Sequence, residues 1–290
     1  MKCRLIAPRT ICIFCIFAVG IALLPSCQRS QPLNLPQDSP RQAAVTVPPD
    51  LQEAVAQFTH AIETFDLPHI LEAYAEDFLS GSGRSKEDIR KVFTQLRARN
   101  VKLKVEKTVI ENTEEEKASL RTQIRLRYMD YFRDLGEGEV VITDVLRHAL
   151  RKDESGWKIH ADDRVSTYRE GRFGPRSPNA QLDVPSQLPT NSQYRVTVTV
   201  QREQNTQYQV MVGNYAEDPS VLPPPDLVTS LPEDGVLQAH LLPNPQGRGE
   251  MVRLTLIAEN PKGQWIGATT ISKFIPNALR EQEAEKQKRL

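Results

Sequence analysis

From residue 50 onward the apolar positions repeat first at three and four, then at two. Leu51, Val55, Phe58, Ile62 and Phe65 fall on one face of an amphipathic helix. Asp50, with Glu53 three residues on, reads as its N-cap and acidic N3 partner. Asp66-Leu67-Pro68 opens a second helix, proline being tolerated in a first turn, with apolar positions Leu67, Ile70, Leu71 and Tyr74. Gly81-Ser82-Gly83 breaks the pattern, and Ser85 to Asp88 caps a third helix carrying Ile89, Val92, Phe93 and Leu96.

Alternation then replaces helical spacing. Val101, Leu103 and Val105 alternate with lysines, and Leu120, Ile124, Leu126 and Tyr128 share one side of a longer strand. After a turn over Asp134–Glu139 come Val140–Leu150 and, past Asp153-Glu154-Ser155-Gly156, a last strand over Trp157–Val165. Three helices followed by a four-stranded antiparallel meander is an α+β pattern. Residues 171–190 contain Pro175, Pro178, Pro185 and Pro189 and read as a linker. Beyond it, short alternating strands begin at Tyr194, Tyr208, Val236, Met251 and Trp265, with a clear turn at Asn260-Pro261-Lys262-Gly263. Their spacing suggests a small β-sandwich. Residues 277–290 form a charged tail.

The first fifty residues differ in kind. Lys2, Arg4 and Arg9 precede an apolar run from Ile11 to Leu24, and its 14 residues are fewer than a membrane span needs. Leu24-Pro25-Ser26-Cys27 resembles the lipobox of bacterial lipoproteins, in which the cysteine is acylated and becomes the mature N-terminus. All four cysteines lie at or before Cys27, so the body offers no disulfide, thiolate zinc site or cysteine nucleophile. Lipidation with palmitate-type chains would anchor the chain stably. The resemblance to lipoprotein sorting, with Gln28 after the cysteine, implies the periplasmic face of an outer membrane. The expected organisation is a signal peptide at 1–26, anchor and proline-rich tether at 27–49, an α+β domain at 50–170, a linker at 171–190, a sandwich-like domain at 191–276, and the tail at 277–290.

Charge adds an exclusion. The chain has 37 Lys and Arg against 37 Asp and Glu; three of the basic residues precede Cys27, leaving a mature excess of three acids. Nothing in that balance draws the chain toward nucleic acid.

Residues 50–170 resemble the NTF2-like (SnoaL-like) superfamily. The resemblance is carried by Phe65–Phe78 (FDLPHILEAYAEDF), by the helix start at Gly83–Ile89, and by Ser155–Ser166 (SGWKIHADDRVS). It implies a cone of helices packed in a curved antiparallel sheet, with a pocket between them. Members include isomerases, cyclases, dehydratases and proteins with no known catalysis, so fold does not decide function.

Strand parity supplies candidate residues. Asp130 continues the line of Leu126 and Tyr128, and Asp144 and His148 fall among Val140, Ile142, Leu146 and Leu150. A carboxylate in an apolar pocket could act as a general base or acid, with a histidine beside it. Tyr74, Phe78, Tyr128 and Asp130 are the expected pocket residues, and Tyr74 and Tyr128 could donate to an oxyanion. Val141, Val145 and Ala149 make the other face of the same strand apolar, so parity alone leaves open which side faces inward. His160, Asp162 and Asp163 are placed at the pocket mouth, without the spacing of a metal site. Arg121, Arg125 and Arg127 form a basic strip that reads as a solvated face paired with acids, or with Tyr131 as a dimer face. No phosphate- or dinucleotide-binding loop and no nucleophile elbow is present, and no cofactor is expected.

Two readings stand. One is a non-catalytic envelope lipoprotein whose first domain binds a small apolar ligand, or serves as a scaffold for a second copy or an envelope partner. The other is a small-molecule enzyme of the isomerase, cyclase or dehydratase type using a pocket carboxylate.

Overall fold

A computed structural model describes residues 47–189, 192–216, 227–243 and 249–277. Cys27, the signal peptide, most of the tether, the Pro223–Pro225 run and nearly all of the tail lie outside them.

The helical opening follows the apolar spacing. Helix α1 (Pro49–Thr64) buries Leu51, Phe58, Ala61 and Ile62, and closes on Phe65 in the left-handed region, φ 53°. Helix α2 (Leu67–Glu72) is capped by the Asp66 carboxylate, which accepts from the His69 backbone N–H. Helix α3 (Lys86–Ala98) starts in a full capping box. The Ser85 side chain accepts from the Asp88 N–H, and the Asp88 carboxylate accepts from the Ser85 N–H.

Eleven strands follow among the described residues. They are β1 (Lys102–Thr113), β2 (Lys117–Tyr131), β3 (Glu137–Asp153), β4 (Gly156–Phe173), β5 (Ala180–Asp183), β6 (Tyr194–Val200), β7 (Gln207–Ala216), β8 (Leu227–Ser230), β9 (Val236–Leu241), β10 (Gly249–Glu259) and β11 (Trp265–Pro276). Eight form one antiparallel sheet in the order β1-β2-β3-β4-β11-β10-β7-β8; β5-β6-β9 form a second.

This corrects the expected architecture. The described residues are 56% strand and 18% helix. In place of an α+β NTF2-like cone followed by a separate small sandwich, a single large sheet carries three short helices against one part of it. The join is made by β4, which runs on past Val165. Its Tyr168–Phe173 segment pairs with Lys273–Ala268 of β11. That extension reads as polar in the sequence because Arg169, Glu170 and Arg172 interleave with the buried Thr167, Gly171 and Phe173. The end of β4 and the whole of β5 fall within the segment expected to be a linker.

Packing explains why the sheet does not part at this join. The helices bury Leu51, Phe58, Ile62 and Ile70 against Leu120, Ile124, Trp157 and Ile159. A second core lies between the small sheet (Leu182, Val196, Val198) and β7, β10 and β11 (Val210, Leu254, Ile271). Between them Val140, Phe173, Ile257 and Ala268 cluster across β3, β4, β10 and β11. Close approach is required there. A Cβ on Gly171 would lie 2.6 Å from Thr270 Oγ1 and 2.8 Å from the Phe173 ring, nearer than real Cβ contacts come.

Candidate functional site

A cavity of about 760 Å³ lies between α1, α3 and the inner face of β1–β4. Helical spacing supplies one wall: Phe58 and Ile62 from α1, and Ile89, Val92, Phe93 and Leu96 from α3. Period-two spacing supplies the facing wall: Leu103, Ile124, Leu126, Ile142 and Leu146. Phe274, Pro276 and Asn277, at the end of β11, also line it, so the far half of the chain contributes to the site.

Polar groups gather at the β4 side. Tyr74 is held there by backbone bonds on both flanks: Ala75 N–H donates to Ile159 O (3.0 Å) and Ile159 N–H to Ala73 O (2.8 Å). The next loop is fastened to the same strand, with Leu79 N–H donating to His160 O (3.1 Å) and Gly81 N–H to Asp162 O (2.6 Å). This places Ser80, Ser82 and Arg84 on the rim, where the Arg84 N–H donates to Ser80 Oγ at 2.8 Å.

His148 and Asp144 both line the cavity from β3. Their partners on β2 are Leu120 and Ile124; on β4 they are Asp162 and Thr167. Asp144 Oδ1 accepts a 2.6 Å bond from Thr167 Oγ1. His148 is fully buried, and neither ring nitrogen has a hydrogen-bond partner among the described residues. Burying a donor or acceptor unpaired costs about 1–3 kcal/mol, so the position is an expensive one for a purely structural residue. Burial alone pushes its imidazole down to about 4, leaving it neutral at physiological pH. Burial, and then the nearby Asp162 charge, push the Tyr74 phenol upward, so it stays protonated and able to donate.

The remaining expected pocket residues sit elsewhere. Phe78 is buried behind Tyr74, ring centroids 4.6 Å apart. Tyr128 packs where the helical core meets the small cluster at the sheet join. Asp130 pairs with Arg169 at 3.4 Å. None of the three lines the cavity, and on β2 its lining ends at Leu126. At the mouth, Asp162 and Asp163 are lining residues, whereas the His160 Nδ1 pairs with Asp77 at 2.9 Å. Arg121, Arg125 and Arg127 pair with Glu111, Glu106 and Glu139, respectively.

Two register shifts in the β3–β4 ladder explain what parity could not find. Opposite β3, the β4 partners run Ile159, Asp162, Arg164, Thr167, so an extra residue enters at His160 and another at Val165. Each bulge flips which β4 side chains face inward, bringing Asp162 and Arg164 to the His148 side. No local turn residue announces either shift.

No protein-family model matches the chain, and no curated protein matches it. Solved structures do resemble part of it. They include a candidate aromatic ring hydroxylase of Novosphingobium aromaticivorans (22% identity, 40% of this chain and 85% of that one, TM-score 0.31). A protein of unknown function with a cystatin-like fold from Nostoc punctiforme is similar at 17% identity over 40% of this chain and 86% of its own, TM-score 0.29. AclR, a candidate hydroxylase of Streptomyces galilaeus, is similar at 19% identity over 39% of this chain and 86% of its own, TM-score 0.30. At that level these likenesses speak of neither ligand nor activity.

Proposed function

We propose that this chain is a lipid-anchored envelope protein that holds a small, mainly apolar molecule in its cavity without transforming it. The observation that carries the reading is the cavity: about 760 Å³, with facing helix and strand walls of aliphatic and aromatic side chains, charged residues along its β4 side, and a buried imidazole bonded to nothing among the described residues facing into it. Small-molecule sites are typically ~300–1,000 Å³, mostly apolar, with few polar groups that fix orientation. A neutral imidazole with so low a pKa is a weak base, and no carboxylate among the described residues bonds it to raise its basicity. The anchor is supported by the lipobox-like Leu24–Cys27 and by the absence of cysteine after it. It would hold the cavity beside a membrane, on the periplasmic face of an outer membrane where one exists.

Native mass spectrometry of residues 28–290, purified from the natural host, tests this. The expected result is an added small-molecule mass that is lost on denaturation. A clean monomer overturns the reading, and a dimer or protein complex without the added mass favours the scaffold function. For the anchor, Cys27→Ala is expected to move the protein from the membrane to the soluble fraction; a variant that stays membrane-bound after signal cleavage contradicts it.

Asp144 favours a second reading, proton transfer on the bound molecule, because it lines the same cavity as His148. Asp144→Asn separates the two. Under simple binding the molecule released from the variant matches that from the wild type in mass and chromatographic retention; under catalysis the variant releases a different compound, distinguished by retention when it is an isomer and by mass when water is lost.

A further inference from the structure

We infer that the cavity selects an uncharged, hydroxyl-bearing apolar molecule, with the His148 imidazole as the group that hydrogen-bonds the hydroxyl. This rests on the binding function proposed above and adds the chemistry of the occupant's head group.

His148 faces the cavity from the middle of β3, fully buried, with both Nδ1 and Nε2 lacking a partner among the described residues. Phe58 stands edge-on to it at 5.7 Å and offers no acceptor. On β2, Leu120 lies directly opposite, and Thr122 is the diagonal neighbour on the same face. The Thr122 Oγ1 is likewise buried without a partner among the described residues. Two adjacent strands thus each bury such an unpaired polar atom on the same face of the sheet, His148 at the cavity and Thr122 beside it, while on β4 the residue opposite His148 is Asp162, also a lining residue.

A neutral imidazole presents one donor and one acceptor. A hydroxyl also donates and accepts, so it can use either nitrogen; a carboxylate only accepts and an ammonium only donates. The cavity is lined by Arg84, Arg147 and Arg164 against Glu111, Asp144, Asp162 and Asp163, so it has no positive excess to offset the desolvation of an anion. The surroundings that oppose a charge on His148 oppose one on the ligand for the same reason.

Titration calorimetry of the full mature chain with naphthalene, naphthol and naphthoate tests this, the three being rigid bicyclics of similar size. Naphthol is expected to bind about five- to tenfold tighter than naphthalene, the worth of one neutral hydrogen bond, with naphthoate weakest. In His148→Phe, naphthol and naphthalene should converge. Should that variant not fold, nitrogen NMR of the histidine-labelled wild type gives a second reading: the His148 ring resonances should shift with naphthol and not with naphthalene. Equal binding of naphthol and naphthalene, tightest binding of naphthoate, or His148 resonances indifferent to naphthol overturns this inference and leaves the cavity's binding role standing. If none of the three binds, the binding role fails and this inference fails with it.

Discussion

Phe58 and His148 meet edge to face, ring centroids 5.7 Å apart and planes at 83°, which seals one side of an imidazole whose nitrogens bond nothing among the described residues. One residue comes from the first helix and the other from the middle of the longest strand but one. Their meeting defines the polar end of the cavity. It also makes His148 a residue whose burial costs stability, and the cost depends on pH.

Its folded pKa, about 4, lies below the 6.5 of the free side chain, so between those values the unfolded chain binds the proton and the folded chain does not. Stability associated with a neutral His148 is therefore fully present above pH ~6.5 and is lost as pH falls toward 4. The full loss is on the order of 3 kcal/mol. Urea unfolding at a series of pH values should show a steeper acid loss in the wild type than in His148→Phe. At neutral pH the variant should be as stable or more so, since an unpaired polar group has been removed. Parallel pH profiles would show that His148 is not buried as described.

Gly267 reports on the single-sheet architecture. A Cβ there would fall on the backbone carbonyl of Arg176, in the segment that carries the chain from β4 to β5. Backbone cannot swing aside as a side chain can, so Gly267→Ala should cost about 1–3 kcal/mol or more in chemical denaturation. A neutral effect would mean that this segment does not lie across β11.

Tyr194 and Glu250 test the second core. The Tyr194 hydroxyl donates to the fully buried Glu250 carboxylate, and Asn214 Nδ2 reaches both carboxylate oxygens at 3.1 Å. Burial, reinforced by this bond, raises the Tyr194 phenol pKa, keeping it a donor. Tyr194→Phe removes one donor from a buried carboxylate and should cost about 1–3 kcal/mol, read as a lower urea midpoint with an unchanged slope.

The sequence made some of this legible and hid the rest for physical reasons. Helical spacing placed Phe58 and Ile62 on one face, and the Ser85–Asp88 box announced α3 at its first residue. Period-two spacing put Asp144 and His148 on one face of β3, and both line the cavity. Parity alone also put Tyr128 and Asp130 in the pocket, but it fixes the face of a strand and not how far along it a cavity extends, and the β2 lining ends at Leu126. It could not find Arg164, which a bulge turns inward. The larger error was architectural. Four prolines made residues 171–190 look like a spacer, yet β4 extends into them and its pairing with β11 depends on residues a hundred positions apart. Long-range pairing leaves no periodic trace, and so Phe274 and Asn277 were not visible as cavity residues.

Thermal unfolding with naphthalene present decides whether the space under α1 and α3 accepts an apolar molecule. Wild type and Leu146→Trp are compared, the tryptophan filling the cavity from the middle of β3. A ligand that binds only the folded state raises the melting temperature with concentration. The wild type should show that rise, and Leu146→Trp should show little or none. Equal shifts in both proteins, or no shift in the wild type at saturating naphthalene, would contradict the account.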